Sequence, residues 1–238
     1  MNKALVWYNL SYYTKTLKFI APCMVFIVWH FSIFSQSPIP IWSQYYLTAI
    51  TIFILSNWIG TGFINCEHKT QQYITRLHVG SDLVYHVSKI IAILLFLIPF
   101  YALMVFYPIV FGFFVRHLLA TEVLAVLIIH FLFSLMGVSV SVFFNADFHD
   151  KTTILPLQVL VVFFVVVPFA VIFEDNTFVR YAVYLLPPLN FLGERLHALD
   201  SGVFLLDSKF LIFILYSLGY SLGLIAVYVL LVRKKFKV

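Results

Sequence analysis

Charged residues are scarce in this sequence: only 11% are Asp, Glu, Lys or Arg, whereas 63% are hydrophobic and the mean hydropathy is +1.01. That leaves too little polar surface to cover a soluble globule of 238 residues. The two cysteines, Cys23 and Cys66, are too few and too badly placed for a disulfide framework. Composition therefore predicts a single integral membrane domain spanning residues 1–238.

Sequence motifs for ATP binding, metal binding and proteolysis are also missing. No stretch reads G-x-x-x-x-G-K-[ST], so the chain has no Walker loop to hold ATP phosphates. His68, His78 and His86 are spaced too widely for a compact zinc pattern, and we predict no metal site. No G-x-S-x-G setting supports an intramembrane serine protease, and we predict no catalytic residues. The net charge of +5 is explained by basic residues beside apolar spans and does not indicate nucleic acid.

Long apolar runs take the place of these motifs and predict an all-α membrane protein with six transmembrane helices. The predicted spans are 19–35, a second ending near Ile64, 90–114, 118–144, 154–173 and 210–232. Residues 1–18 form a candidate interfacial helix with Val6, Leu10, Tyr13 and Leu17 on one stripe, the alternative being a plain polar tail. Short external amphipathic helices are predicted between spans five and six, within 174–209.

Basic residues predict the orientation. With both termini in the cytoplasm, eleven basic residues lie inside and four lie outside. The inner ones are Lys3, Lys15, Lys18, Lys69, Arg76, Lys89, Lys151, Arg233, Lys234, Lys235 and Lys237, and the outer ones are Arg116, Arg180, Arg195 and Lys209. This asymmetry satisfies the positive-inside rule and predicts a multi-pass protein of the cell membrane.

The longest predicted cytoplasmic segment is residues 65–89, and it is the most informative part of the sequence. Its apolar residues Tyr73, Ile74 and Leu77 offer a face for docking, and Glu67, Lys69 and Arg76 offer charges that would set the orientation of a partner. The alternative is a merely solvated loop.

This layout resembles the type-2 ATP-binding-cassette (ABC) exporter permeases. The local match is Glu67, Thr70, Ile74 and Lys89, with Lys69 and His78 departing from the family pattern. The resemblance implies a short coupling helix in the loop, a separate ABC ATPase subunit that binds ATP and Mg²⁺, and a second permease copy or homologous permease. It also implies ATPase-coupling roles for Glu67, Thr70, Tyr73, Ile74, Arg76 and Leu77.

Polar and small residues elsewhere supply further candidates. Asn57, Glu122 and His130 are candidates either for a translocation path or for helix–helix contacts. Pro187 and Pro188 break the external segment, so this segment, with Asn190, Glu194 and Arg195, is predicted to form an outer gate or a simple cap. Gly137 with Ser141, and Gly219 with Gly223, are small pairs that predict close helix packing.

The function expected from these features is ATP-driven export of an apolar or amphipathic cargo such as a peptide, a lipid or a drug, with hydrolysis in the partner. The alternative from another class is a non-transporting membrane immunity or sensor subunit that binds a ligand.

Overall fold

The computed structural model describes residues 3–35, 37–146, 148–166 and 208–235. Every regular element in these ranges is a helix. They are α1 (Lys3–Lys15), α2 (Ile20–Ile33), α3 (Ile41–Ile64), α4 (Lys69–Val79), α5 (Asp82–Val110), α6 (Ala120–Ser141), α7 (Lys151–Val166) and α8 (Ser208–Lys235).

Four of these helices, α3, α5, α6 and α8, are long and apolar enough to cross a membrane. A fifth span results if α1 and α2, which meet at a bend of 80°, are counted together. By itself α2 has 14 residues, so it is about 21 Å long and shorter than a hydrocarbon core of about 30 Å. The described residues support a multi-pass helical membrane protein.

The core of the bundle is the contact between α3 and α6. Ile52, Ile59 and Phe133 are fully buried in the main apolar cluster. Small residues let the two helices approach: a Cβ added to Gly137 would lie 2.4 Å from the carbonyl oxygen of Phe53. Close packing here brings the polar groups of both helices within hydrogen-bonding distance.

The two ends of the bundle differ in their loops. The end that we call the α4 end carries α4, the bend between α1 and α2, and the turn after α6, where Asn65 donates to the Phe144 carbonyl at 2.7 Å. At the opposite end the loops before α3 and after α5 pair, with the Ile39 amide donating to the Phe113 carbonyl at 2.9 Å.

The helix bounds differ from the predicted ranges by up to eight residues, and two of the differences have a local physical cause. The helix that contains the third predicted span begins at Asp82, eight residues before the expected start at Ile90, because Ser81 accepts a hydrogen bond from the Val84 amide and caps the helix. The predicted stripe on residues 1–18 is wrong at Leu17, which is 60% exposed. The helix ends at Lys15, and a positive φ of 56° at Leu17 takes this side chain off the buried face.

Candidate functional site

The short helix α4 presents apolar side chains that the described chain does not cover. It begins after His68, whose Nδ1 accepts from the Thr70 amide at 3.4 Å, and it ends at Gly80, whose φ of 66° suits glycine. None of its residues is buried. Tyr73 and Leu77 are each 63% exposed and Ile74 is 43% exposed. An exposed apolar face on a surface helix is typical of a contact site.

A buried ion pair lies beneath α4. Lys89 Nζ is 2.5 Å from Glu67 Oε2, and both side chains are almost fully buried. The Tyr85 hydroxyl donates to the same carboxylate oxygen, and the Tyr8 hydroxyl donates to the other at 3.2 Å. The carboxylate therefore connects α1, α5 and the segment that leads into α4. Glu67 lies inside the protein, so its charge is directed to Lys89 and not to the surface.

A second ion pair closes the turn between α4 and α5. Arg76 Nε and Nη2 each lie 2.6 Å from Asp82 Oδ1. Asp82 is in the first turn of α5, where a negative charge is also favoured by the helix dipole. The predicted docking residue Arg76 thus belongs to a contact within the chain, which attaches the end of α4 to the start of α5.

A groove separates α4 from α1. Its volume is about 480 Å³, and it is lined by Leu5 and Tyr8 of α1 together with Gln71, Ile74 and His78 of α4. Gln71 Nε2 donates to the Tyr8 hydroxyl at 3.1 Å, which joins the two helices that line the groove. The groove extends the exposed apolar face of α4 into a concave surface, which suits an inserted side chain or helix.

A second buried network was missed by the sequence analysis. The Tyr228 hydroxyl of α8 lies 2.9 Å from His86 Nδ1 of α5 and accepts from Asn145 Nδ2 at 3.2 Å. His86 is thus in a buried contact between helices, whereas His68 and His78 are exposed to solvent. A polar residue early in a span is a signal for such a network, but the sequence does not reveal the partner.

The predicted pathway residues Asn57 and His130 lie between helices. Asn57 Nδ2 donates to the Gly137 carbonyl at 3.4 Å, and its Oδ1 accepts from Gln158 of α7 at 2.6 Å. His130 Nδ1 is 2.8 Å from the Val126 carbonyl, and its Nε2 is 3.0 Å from Thr48 Oγ1. Both side chains are fully buried. This geometry is that of helix–helix contacts, and a role in translocation stays a prediction.

Glu122 belongs to the turn at the opposite end. Arg116 donates to both of its carboxylate oxygens at 2.7 and 2.8 Å, and the Leu119 amide donates at 2.9 Å. The hydrogen bonds between Arg116 and the Glu122 carboxylate raise the pKa of Arg116. The carboxylate side chain is fully buried, so Glu122 holds the start of α6 against the preceding loop.

The small-residue pairs lie in different surroundings. Gly137 contacts α3, and Ser141 lies so close to Gly60 that a Cβ there would be 2.2 Å from Ser141 Oγ. A Cβ at Gly219 or Gly223 would meet no atom of the described structure within 4 Å. The gate candidates Pro187, Pro188, Asn190, Glu194 and Arg195 lie outside the described residues, as does most of 174–209.

Side-chain chemistry at the α4 end does not favour a thiol nucleophile. Burial raises the pKa of the Cys66 thiol to about 11, which keeps it protonated at neutral pH. Within the described ranges, no three His, Cys, Asp or Glu side chains come together in a group that would hold a metal ion.

Comparison with protein-family models, with curated protein sequences and with solved structures finds no match to this chain. The described residues define a class of protein: a helical protein with several apolar helices of membrane-spanning length and with a short amphipathic helix, α4, exposed at one end of the bundle.

Proposed function

We propose that this chain is the transmembrane permease subunit of an ATP-driven ABC exporter, with six spans and with α4 as the helix that contacts a separate ATPase. The observation that carries the proposal is the arrangement of α4. Its apolar side chains Tyr73, Ile74 and Leu77 are exposed beside the groove between α4 and α1. Ion pairs attach both ends of the α4 segment to α5.

Such an attachment suits the transfer of a displacement. Glu67 precedes α4 and pairs with Lys89, two turns into α5, and Arg76 pairs with Asp82 in the first turn. A partner that moves α4 would therefore move the end of α5. This helix is continuous over 29 residues, so it is about 44 Å long and extends to the opposite end of the bundle.

In this proposal the residues divide into two roles. Thr70, Tyr73, Ile74 and Leu77 face the ATPase, and Glu67 with Arg76 hold α4 in the position in which it is contacted. The ATPase binds ATP and Mg²⁺, and a second permease copy or a homologous permease completes the pathway. The cargo is an apolar or amphipathic molecule, and the orientation has both termini in the cytoplasm. The gate in 174–209 is part of the same proposal.

The test is purification of the full-length chain from its native host, followed by measurement of ATP hydrolysis in the purified complex. We expect an ATP-hydrolysing subunit to co-purify. Replacing both Tyr73 and Leu77 with Ala should abolish co-purification of this subunit, because the two side chains belong to the proposed contact. Both side chains are exposed, so their loss leaves the fold intact.

The matched control removes exposed apolar side chains from the opposite end. Val110 and Phe111 are 74% and 65% exposed, and replacing both with Ala should leave co-purification unchanged. A purified complex without ATP hydrolysis would contradict the proposal. So would an equal loss of the co-purifying subunit in the two double variants. The first result would favour the immunity or sensor alternative.

A further inference from the structure

An apolar groove lies on the bundle surface between α2 and α3. It has a volume of about 340 Å³ and is lined by Pro22, Phe26 and Trp29 of α2 and by Leu47, Ile54 and Trp58 of α3. One polar lining group, Thr51, accepts from Trp29 Nε1 at 3.1 Å and donates to the Leu47 carbonyl at 2.9 Å. The hydroxyl is thus already paired, and the groove suits an apolar occupant.

The groove is about as long as one membrane leaflet is thick. Leu47 and Trp58 are eleven positions apart in α3, so the groove runs for about 16 Å along the helix axis. Half of a hydrocarbon core of about 30 Å is close to this length. The end of the groove at Trp58 is seven positions before Asn65, at the α4 end of the bundle.

A basic elbow lies next to this end of the groove. Lys15, Leu17 and Lys18 are all exposed at the bend between α1 and α2, and α2 contributes Pro22 to the groove about one turn later. Leu17, which lies between the two lysines in sequence, has a φ of 56°, a strained value for leucine, and its side chain is 60% exposed. An apolar side chain between two cations suits the boundary between headgroups and acyl chains.

The charges around the elbow favour an anionic headgroup. Residues 1–66 contain no Asp or Glu, and the first acidic residue, Glu67, is paired with Lys89. Lys18 Nζ lies 3.4 Å from the Asn65 carbonyl, which uses one of its three donors and holds the ammonium near the end of α3. Each lysine near a membrane surface raises the affinity for anionic lipid by about fivefold.

We propose that the elbow and the groove together bind one anionic phospholipid, with the headgroup phosphate at Lys15 and Lys18 and one acyl chain in the groove between α2 and α3. The lipid is a resident ligand and not a cargo, and its binding is independent of the proposed transport function. It fills the groove beside α2, which is too short to span the membrane alone.

Tryptophan fluorescence offers a direct test, because Trp29 and Trp58 line the groove. The full-length chain is reconstituted in phosphatidylcholine vesicles that contain a small fraction of either dibrominated phosphatidylglycerol or dibrominated phosphatidylcholine. We expect stronger quenching by the anionic bromolipid at equal mole fraction. Replacing Trp58 with Phe should reduce this extra quenching, which assigns it to the groove.

Two variants distinguish the contribution of the lipid headgroup from that of the acyl chain. Lys15→Gln with Lys18→Gln should remove most of the anionic preference, about fivefold per lysine. Ile54→Phe fills the groove and should weaken quenching by both bromolipids. The matched control is Lys3→Gln with Lys69→Gln, which changes the net charge equally at two other exposed lysines and should keep the preference.

Three results would overturn the proposal. Equal quenching of the wild-type chain by the two bromolipids would show that no anionic headgroup is recognised. Equal loss in the control and in the elbow variant would reduce the effect to net charge. Efficient cross-linking of two copies through cysteines introduced at Val25, which is 57% exposed in α2, would show that a second chain occupies the groove.

Discussion

The ion pair between Glu67 and Lys89 makes a sharp prediction about stability. Replacing Lys89 with Met removes the cation but retains a side chain of similar length. Glu67 is 6% exposed and Lys89 is 3% exposed, so the carboxylate would remain buried without its counter-charge. The hydroxyls of Tyr8 and Tyr85 would still donate to it.

The magnitude follows from these contacts. Breaking a buried pair by removing one partner typically costs about 3–5 kcal/mol. Because two phenol donors remain, we expect the free energy of unfolding to fall by about 3 kcal/mol, at the lower end of that range. Glu67→Gln also leaves one buried charge, that of Lys89, but should cost less, because this ammonium remains above the Tyr85 ring, 4.7 Å from its centroid. The double variant removes both charges and should cost less than the sum of the single variants.

The assay is a double-mutant cycle. The free energy of unfolding of the wild-type chain, the two single variants and the double variant is measured by denaturant titration in mixed micelles, with helicity followed by circular dichroism. We expect a coupling energy of about 2 kcal/mol in favour of the pair. Additive costs, or a coupling below about 0.5 kcal/mol, would refute the inference that this buried pair holds α4 against α5.

Three further predictions test other parts of the chain. Gly137→Ala should destabilise the protein by about 1–3 kcal/mol, because the new Cβ would lie 2.4 Å from the Phe53 carbonyl, whereas Gly219→Ala meets nothing within 4 Å and should be neutral or slightly stabilising in thermal unfolding. A cysteine introduced at Ser81 should be labelled only from the cytoplasmic side, and labelling only from outside would reverse the proposed orientation. Disulfide cross-linking at Asn190 between two permease copies should block transport and leave basal ATP hydrolysis intact, and undiminished transport would make 174–209 a cap.

The bounds of most elements followed from local patterns. Apolar runs located α3, α6 and α8 to within a few residues, because a membrane-spanning helix must satisfy its own backbone and therefore has a long uniform composition. The first predicted span, 19–35, corresponds to α2, which has only 14 residues, and hydropathy does not reveal the 80° bend that joins it to α1. Whether this segment crosses the membrane stays a prediction.

The ion-pair partners of charged residues were harder to predict than the positions of the helices. Glu67 and Arg76 were marked by their charge in a polar segment, and the sequence favoured a role at the surface. The structure instead pairs them with Lys89 and Asp82. Opposite charges that lie 6 or 22 positions apart have no periodic signature when a turn separates them, so their pairing depends on how α4 folds back against α5.

By itself the sequence determined that this is a helical membrane protein and that a polar segment between two apolar runs carries an amphipathic stretch. Composition and periodicity suffice for these statements because they depend on the solvent that each residue prefers. Only the tertiary structure decided that Glu67 is internal, that Asn57 and His130 face neighbouring helices, and that a basic elbow lies beside an apolar groove. Each of these depends on distances between residues remote in sequence, which are set by the packing of whole helices.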